Sequence, residues 1–219
     1  MKSSSTVPIA IIVGGLIIAG AIYILIPNGE STSPSLVRPV ATSDHILGNP
    51  AAPIMIVEYS DFDCEYCKAF HDTLHQIVAN EGAKGQVAWV FRHFPLTELV
   101  GHEDALALAK ASECAAQAGN DTFWRFIDAL YKSQPVSPSE LGAIASLAKI
   151  PDTSAFATCY ASESASAPLV ERIMADRENA LQMGAGGTPY SIILTNGKDP
   201  IEMVGAYSYD AIRSLISPQ

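Results

Sequence analysis

The chain has 219 residues and a formal net charge of −10, and nearly half of its residues are hydrophobic. This size and apolar content are enough for one folded domain with a sizeable insertion and a buried core. The acidic balance argues against a nucleic-acid-binding protein, which needs a basic face to neutralise phosphates, and it provides no polybasic patch for anionic lipids. We therefore expect no nucleic acid among its partners.

The N-terminal segment contains an apolar run without a single charge, residues 7–26. About 20 helical residues reach about 30 Å, the thickness of the hydrocarbon core of a bilayer. A cleaved signal peptide is the alternative, because residues 19–21 (AGA) have small side chains at the spacing of a cleavage site. The run continues to Ile26, which favours an uncleaved transmembrane helix. Lys2 before the run and Glu30 after it predict a cytoplasmic N-terminus and an external main body.

The anchored interpretation makes the chain a single-pass protein of the bacterial inner membrane, held by the lipid bilayer, with its folded part on the periplasmic or extracellular side. Residues 27–43 (PNGESTSPSLVRPVATS) are rich in proline, serine and threonine and lack an apolar period, which predicts a linker. The folded part is expected to begin near Asp44.

The folded part opens with a strand, a helix and a second strand. The β-branched run PIMIVEY (53–59) predicts a buried strand. From Cys64 to about Ala79 apolar residues recur at helical spacing, and GQVAWVFRHFPL (85–96) predicts the second strand, with Trp89 in the core.

Residues 98–183 have a helical composition instead. EDALALAKASECAAQAG predicts a helix that ends near Gly119, and Asp121-Thr122 is predicted to cap the next, which carries Trp124 as a core residue. The sequence SPSE (137–140) predicts a further helix start, and ASESASAPLVERIMADRENALQMG (161–184) predicts one last helix.

The C-terminal part returns to strands. TPYSIIL (188–194) alternates, Asn196-Gly197 predicts a hairpin turn, PIEMVGA forms the returning strand and YDAIRSLI forms a final helix. The order β-α-β, helical insertion, β-β-α predicts an α/β fold. The predicted boundaries are a cytoplasmic N-terminus (1–6), a transmembrane anchor (7–26), a linker (27–43), the two parts of an α/β domain (44–97 and 184–219) and the inserted helical domain (98–183).

Cys64 and Cys67 stand at the predicted helix N-terminus, where the helix dipole stabilises the thiolate of the first cysteine. We expect Cys64 to be exposed and to attack a partner, and Cys67 to lie deeper and to resolve the mixed disulfide. Half of a zinc site and a purely structural disulfide are the alternatives. A structural zinc site usually adds a second cysteine or histidine pair, whereas Cys114 and Cys159 are single and far apart. The pattern favours a redox pair that needs no metal or organic cofactor.

The remaining cysteines and the histidines have less specific interpretations. An even cysteine count outside the reducing cytosol predicts a Cys114–Cys159 disulfide, worth about 4 kcal/mol for a loop of about 46 residues. His71 and His75 are four residues apart and could face a metal, but we interpret them as two exposed helix residues. His93 is interpreted as strand-end packing.

Several motifs in order carry a family resemblance: EYSDFDCEYC, VFRHFPL, the helical insertion, GTPYSII and GAYSYDAIRSLI. They resemble the DsbA family of thiol:disulfide oxidoreductases, in its membrane-tethered bacterial branch with a thioredoxin-like fold and an inserted helical domain. The resemblance covers about residues 44–216. It implies Cys64 as nucleophile and Cys67 as resolving cysteine, a cis bond before Pro189 that faces the disulfide, and Thr188 pairing with an extended substrate backbone.

Glu58 lies where this family often carries a buried acid, and desolvation would fit it to shuttle a proton for Cys67. The alternative is a strand-end residue that reaches water. The residues between the cysteines, Glu65 and Tyr66, depart from the family, whose usual first residue is proline. Asp61, Asp63 and Glu65 are expected to surround Cys64 with exposed negative charge, offset in part by Lys68, which predicts a less oxidising disulfide than a Pro-His or Pro-Tyr pair.

The resemblance implies a dithiol oxidase that donates its disulfide to exported, unfolded proteins with free cysteines. A quinone-linked membrane partner would reoxidise it, by family analogy. A reductase or isomerase of the same fold, or a non-catalytic chaperone-like binding module, is the alternative.

Overall fold

The computed structural model describes residues 33–217, in which a five-stranded sheet packs with α-helices. The strands are β1 (His45–Gly48), β2 (Ile54–Ser60), β3 (Val87–His93), β4 (Tyr190–Thr195) and β5 (Ile201–Val204). The helices are α1 (Glu65–Asn80), α2 (Ala105–Ala116), α3 (Asn120–Ser133), α4 (Leu141–Leu147), α5 (Thr153–Ala161), α6 (Glu163–Gln182) and α7 (Tyr209–Ile216). The predicted α/β class is confirmed.

Strand β2 is the centre of the sheet, whose order is β1-β3-β2-β4-β5. It runs parallel to β3, and all other neighbouring pairs are antiparallel. A central strand needs apolar side chains on both faces, which explains the run IMIV. Glu58 is the exception in this run, and its neighbours are Phe91 on β3 and Ser191 on β4. The sheet therefore holds a carboxyl group at its centre.

Alternate side chains of the sheet enter two separate hydrophobic cores. One core contains Ile56 and Trp89 and packs against α1 and helices of the α2–α5 segment, including Trp124. The other contains Val57 and packs against α6. This alternation follows from the two-residue period of a strand. The prediction that both tryptophans are core residues is confirmed.

Helices α2 to α6 lie between β3 and β4 in the chain. The last predicted helix, residues 161–184, is present as α6, whose N-terminus is capped by the side chain of Ser162. The short helix α5, which ends at Ala161 just before it, was not predicted. The predicted cap at Asp121-Thr122 is wrong. Helix α3 begins one residue earlier, at Asn120, because Gly119 adopts a positive φ of 105° and turns the chain into the helix.

Part of the predicted linker packs against the domain. Pro34–Leu36 forms a short 3-10 helix, and Val37 and Val40 pack on the second core. The buried guanidinium of Arg92 donates to the backbone oxygens of Arg38 and Pro39. Folded structure therefore begins before Asp44, because a buried cation on β3 needs the carbonyl groups of this segment.

The sequence pattern also missed β1, a four-residue strand that pairs with β3 at the edge of the sheet. Between residues 33 and 217, no helix combines the length and apolar character needed to cross a bilayer. The predicted transmembrane helix, residues 7–26, lies outside the described residues.

Candidate active site around Cys64 and Cys67

Cys64 is the N-cap residue of α1, and Cys67 lies in the first turn of that helix. The loop from the end of β2 reaches the helix through residues 61–63. Backbone N–H groups of a first helical turn have no partner within the helix, so a side chain at the N-cap lies beside free donors. This position favours an anion on Cys64.

Both cysteines are free thiols, and both are covered by the fold. Cys67 has no exposed surface, and Cys64 is only 6% exposed. The prediction that Cys64 is exposed is therefore wrong. The segment before β4 covers it: the Cys64 thiol donates to the carbonyl oxygen of Thr188 at 3.4 Å. The Thr188–Pro189 peptide bond is cis, and Pro189 is buried.

The two thiols have opposite acid strengths. A hydrogen bond from Cys67 is the main cause that lowers the pKa of Cys64 to about 6, and Thr188 and the backbone amides of Tyr66 and Cys67 act in the same direction. Burial raises the pKa of Cys67 well above its ordinary value, and its hydrogen bond to Cys64 adds to this effect. At neutral pH one thiolate therefore forms, on Cys64, and Cys67 stays protonated.

A chain of hydroxyl groups leads from the helical segment to Glu58. Ser60 Oγ donates to Glu58 Oε1 at 2.7 Å, and Tyr131 Oη lies 2.9 Å from Ser60 Oγ. Burial raises the pKa of Glu58 to about 8. The alternative of a strand-end residue that reaches water is wrong, because Glu58 has no exposed surface. A largely protonated carboxyl group at neutral pH can give a proton as well as take one.

Asp61 organises the loop before Cys64. The prediction that it is an exposed carboxylate is wrong, because Asp61 is buried. Its two oxygens accept bonds from the backbone N–H groups of Asp63 (2.7 Å) and Leu96 (2.8 Å), and His102 Nδ1 lies 2.9 Å from Oδ2. Burial opposes the charge of His102, but the hydrogen bond to Asp61 raises its pKa above the ordinary value. Asp61 therefore accepts bonds from two backbone N–H groups and lies against a histidine whose protonated form it favours.

The other residues around the pair differ in exposure. Burial, together with the charge of Asp61, raises the pKa of Asp63 to about 6. Glu65 is exposed, and Tyr66 is 63% exposed. Lys68 Nζ lies 3.5 Å from the carbonyl oxygen of Gln134. Of the three predicted carboxylates, only Glu65 is fully on the surface.

Two clusters of histidine and carboxylate lie outside this site. His45 and His93 both lie within 2.9 Å of Glu113, and all three are buried. His93 thus packs at a strand end as predicted, but its carboxylate partner could not be read from the sequence. His71 and His75 both lie within 2.9 Å of Asp128. The prediction that His71 is exposed is wrong: it packs against Trp89 and Tyr131, and burial lowers its pKa.

Cys114 on α2 and Cys159 on α5 form a disulfide, with their Cα atoms 5.8 Å apart. Both side chains are buried in the first core. The bond joins the two helices within the segment between β3 and β4. It leaves Cys64 and Cys67 as the free thiols among residues 33–217.

Among proteins of known sequence, the chain is 36% identical over 106 residues to the Na⁺/H⁺ antiporter NhaA 1 of Mycolicibacterium gilvum, and the match covers 48% of this chain but only 16% of the antiporter. It is 29% identical over 143 residues to a probable disulfide bond formation protein D of Bacillus cereus, with 64% of each chain covered. The chain thus spans less than two thirds of the length of these relatives.

Solved structures and a family model extend over more of the chain. The crystal structure of Wolbachia pipientis α-DsbA1 is similar with a TM-score of 0.68 and 26% identity, covering 84% of this chain and 94% of that one. The family model described as Thioredoxin matches residues 41–216. This match includes the CxxC helix, the helical segment and the cis-proline strand. The chain therefore belongs to the thioredoxin family, and its fold is similar to that of a DsbA protein.

Proposed function

We propose that the protein is an exported dithiol oxidase that introduces disulfides into unfolded proteins with free cysteines. The observation that carries this proposal is the depressed pKa of Cys64, about 6, beside a buried Cys67 whose pKa is raised. A thiolate stabilised at neutral pH favours the reduced enzyme, and a disulfide whose reduced form is stabilised is a strong oxidant. The name of the Bacillus cereus relative, a probable disulfide bond formation protein, supports the same direction.

The reaction begins when a substrate thiolate attacks Cys64 Sγ of the Cys64–Cys67 disulfide. A bond forms between the substrate sulfur and Cys64, and Cys67 leaves as a thiolate. Glu58, protonated in its buried position, supplies the proton that this thiolate takes up. A second substrate thiolate then attacks the first substrate sulfur and releases Cys64 as a thiolate. The substrate gains a disulfide, and its two electrons reduce the enzyme pair.

Substrate binding is assigned to the segment that covers Cys64. Residues 186–188 belong to no strand, and the hydrogen bonds of the described residues include none from the backbone N–H of Thr188. An extended peptide could pair with this segment and place its cysteine beside Cys64, as in strand addition. The exposed ring of Tyr66, next to Cys64, would contact the same peptide.

The decisive experiment uses the oxidised full-length chain and a reduced, unfolded protein with two cysteine pairs. We expect a disulfide to form in the substrate while one equivalent of enzyme is reduced, and no reaction with Cys64→Ser. The Cys67→Ser variant, reduced at Cys64 and mixed with a disulfide-bonded substrate, should accumulate a mixed disulfide. A Cys64→Ser variant with unchanged activity would favour a binding or chaperone-like module instead. A redox pair found reduced in cells would favour the reductase or isomerase.

For the cellular setting we propose a bacterial inner-membrane protein, anchored by residues 7–26 and reoxidised by a quinone-linked membrane partner. The support is the charge-free apolar run in the sequence and the exported character expected of DsbA-like proteins. Membranes washed with alkaline carbonate should retain the full-length chain and release a chain that lacks residues 1–32. Quinone-depleted membranes should fail to reoxidise it.

A further inference from the structure

Three metal-ligand side chains converge between helices α1 and α3, away from the cysteines. His71 and His75 lie one turn apart on α1 and so face the same direction. Their Nε2 atoms are 3.2 Å apart, and they lie 2.8 and 2.9 Å from the same oxygen of Asp128 on α3. Helix α1 thus supplies two atoms of this three-atom cluster, and helix α3 supplies one.

Hydrogen bonds alone do not account for this arrangement. Each imidazole donates to Asp128 only if its Nε2 atom carries the hydrogen. The 3.2 Å contact between the two Nε2 atoms then joins two N–H groups, since neither is left as an acceptor. A cation in place of the two hydrogens would instead be bound by all three atoms.

The distances suit a small borderline cation. With bonds of about 2.0–2.1 Å, the ligand atoms of tetrahedral zinc lie about 3.3 Å apart, close to the 3.2 Å between the two imidazole atoms. The Asp128 oxygen lies a few tenths of an ångström too near both histidines, and its side chain is 46% exposed and so is free to withdraw. Imidazole with carboxylate is a ligand set that Zn²⁺ accepts.

A cavity beside the cluster provides access and room for a fourth ligand. It has a volume of about 440 Å³ and is lined by the three side chains together with Lys68, Asp72, Tyr131 and Lys132. The two lysines oppose a cation, and Asp72 favours it. With two neutral imidazoles and one carboxylate the bound ion keeps a net charge of about +1, so the lysines and the ion together favour water or an anion at the open position.

The second cluster offers no such site. His45, His93 and Glu113 are all buried, and Arg172 Nη1 lies 3.2 Å from Glu113 Oε2. A guanidinium already neutralises this carboxylate and would repel a divalent ion at the same group. We propose that His71, His75 and Asp128 bind Zn²⁺, or a divalent transition-metal ion of similar preference, in an open three-ligand site that links α1 to α3.

The test titrates Zn²⁺ into the oxidised full-length chain, because reduced Cys64 and Cys67 would bind the metal themselves. Calorimetry should give one site per chain, and the thermal midpoint should rise with Zn²⁺ because the ion binds the folded state. Co²⁺ should give the visible bands of a nitrogen and oxygen site without thiolate charge-transfer bands. His75→Gln and Asp128→Asn should each weaken binding by at least about 10-fold, since even outer-shell partners are worth that much.

His102→Gln is the matched control, because His102 also contacts an aspartate, Asp61, but lies outside the cluster. It should bind Zn²⁺ within about 2-fold of the parent chain. Far-UV circular dichroism establishes that each variant is folded, and both test positions are partly exposed, which limits the structural cost. The proposal is overturned if the oxidised chain binds no Zn²⁺, if both variants keep the parent affinity, or if the Co²⁺ spectrum shows thiolate ligation.

Discussion

Cys64 Sγ lies 3.4 Å from the carbonyl oxygen of Thr188, although the two residues are 124 positions apart in the chain. The contact is made because β4, which follows Pro189, pairs antiparallel with β2, which precedes Cys64. The candidate site is therefore complete only when β4 has paired with β2, although five helices separate β3 from β4 in the chain.

Alkylation should distinguish the two thiols of the reduced protein. With a Cys64 pKa of about 6, the rate of reaction with iodoacetamide should be half-maximal near pH 6 and already constant at pH 8. Cys67 should stay unlabelled in the folded protein because it is buried and protonated. Mass spectrometry of the labelled peptides gives the site. A midpoint near 9, the ordinary value, would contradict the electrostatic account of Cys64.

Thr188→Val should raise the pKa of Cys64. The valine keeps the backbone carbonyl and the side-chain shape but removes the hydroxyl group, which is among the causes that lower the Cys64 pKa. This buried hydroxyl has no hydrogen-bond partner among the described residues, so the Cys64 thiolate is the acceptor it would gain. One hydrogen bond to a charged group is worth about 1.5–3 kcal/mol, so the alkylation midpoint should rise by about one pH unit or somewhat more. Thr195→Val, at the other end of β4, serves as the control and should leave the midpoint unchanged.

The local part of this site could be predicted from sequence, and the long-range part could not. The CxxC at a strand-to-helix junction already indicates a redox pair, because this signal lies within a few residues, whereas the buried acid at Glu58 was expected from the family resemblance. Asp61 is different: its partner His102 is 41 positions away, so the local pattern predicted an exposed charge where the fold buries the carboxylate against a partly buried histidine.

The same limit explains the other errors. His71 carries no apolar signal, and its burial against Trp89 depends on how α1 and β3 pack. The linker was predicted to run to residue 43 because its sequence does not show that Arg92 on β3 would bind Asp44 and the backbone oxygens of Arg38 and Pro39. The cis bond before Pro189 came from the family resemblance, since nothing in the local sequence distinguishes it from other proline bonds.

Glu58→Gln should stabilise the folded protein increasingly as pH rises. The carboxyl group has a pKa of about 8 when folded, against 4.5 for the ordinary group, so the folded state retains a proton that the unfolded state releases. Stability of the parent chain therefore falls between pH 4.5 and pH 8 through this group. The variant should be similar at pH 4.5 and more stable by on the order of 3–5 kcal/mol at pH 8.5.

Urea denaturation at several pH values measures this difference. The comparison belongs in a Cys64→Ser, Cys67→Ser background, where no thiol titrates in the same range. Glu65→Gln in that background is the matched control, because Glu65 is exposed and should show no such trend. A stability difference independent of pH would mean that Glu58 is ionised in the folded protein.

Glu65→Pro should make the Cys64–Cys67 disulfide more oxidising. Glu65 lies in the first turn of α1 and is exposed, so its charge opposes the Cys64 thiolate only through solvent. Removing it with Glu65→Gln should raise the reduction potential by on the order of 10 mV, and the proline variant should raise it further. Equilibration with glutathione buffers measures both. A proline variant no more oxidising than the parent chain would contradict the assignment of Glu65.

Removing the second disulfide should affect stability without changing the redox site. Cys114 and Cys159 are buried and join α2 to α5, and a Cys114→Ala, Cys159→Ala double variant should lose about 2–5 kcal/mol of unfolding free energy. Its alkylation midpoint at Cys64 should remain near pH 6, because neither residue is among the causes of that pKa. A shifted midpoint would show that the disulfide acts on the redox pair.

The buried ion pair of Arg92 and Asp44 should hold the segment before β1 on the domain. Arg92 Nε lies 3.0 Å from Asp44 Oδ1, and its other nitrogens donate to backbone oxygens of that segment. Arg92→Met would leave the buried Asp44 with only Arg38, whose Nη2 lies 3.7 Å away and whose side chain is 40% exposed, and should cost about 3–5 kcal/mol. Adding Asp44→Asn to this variant should restore part of the loss, because the poorly compensated charge is then removed.

Two measurements test this role of the ion pair: the pH dependence of stability and limited proteolysis. Burial opposes the charge of Asp44, but the bonds from Arg92 outweigh it and hold the Asp44 pKa below 3.8. Its stabilising effect is thus complete at neutral pH and is lost as pH falls below 3.8, so the difference between the parent chain and Asp44→Asn should shrink in acid. Limited proteolysis near Arg38 should be fast in Arg92→Met and slow in the parent chain. Equal cleavage in both would mean that the segment is held by Val37 and Val40 on the second core rather than by the guanidinium.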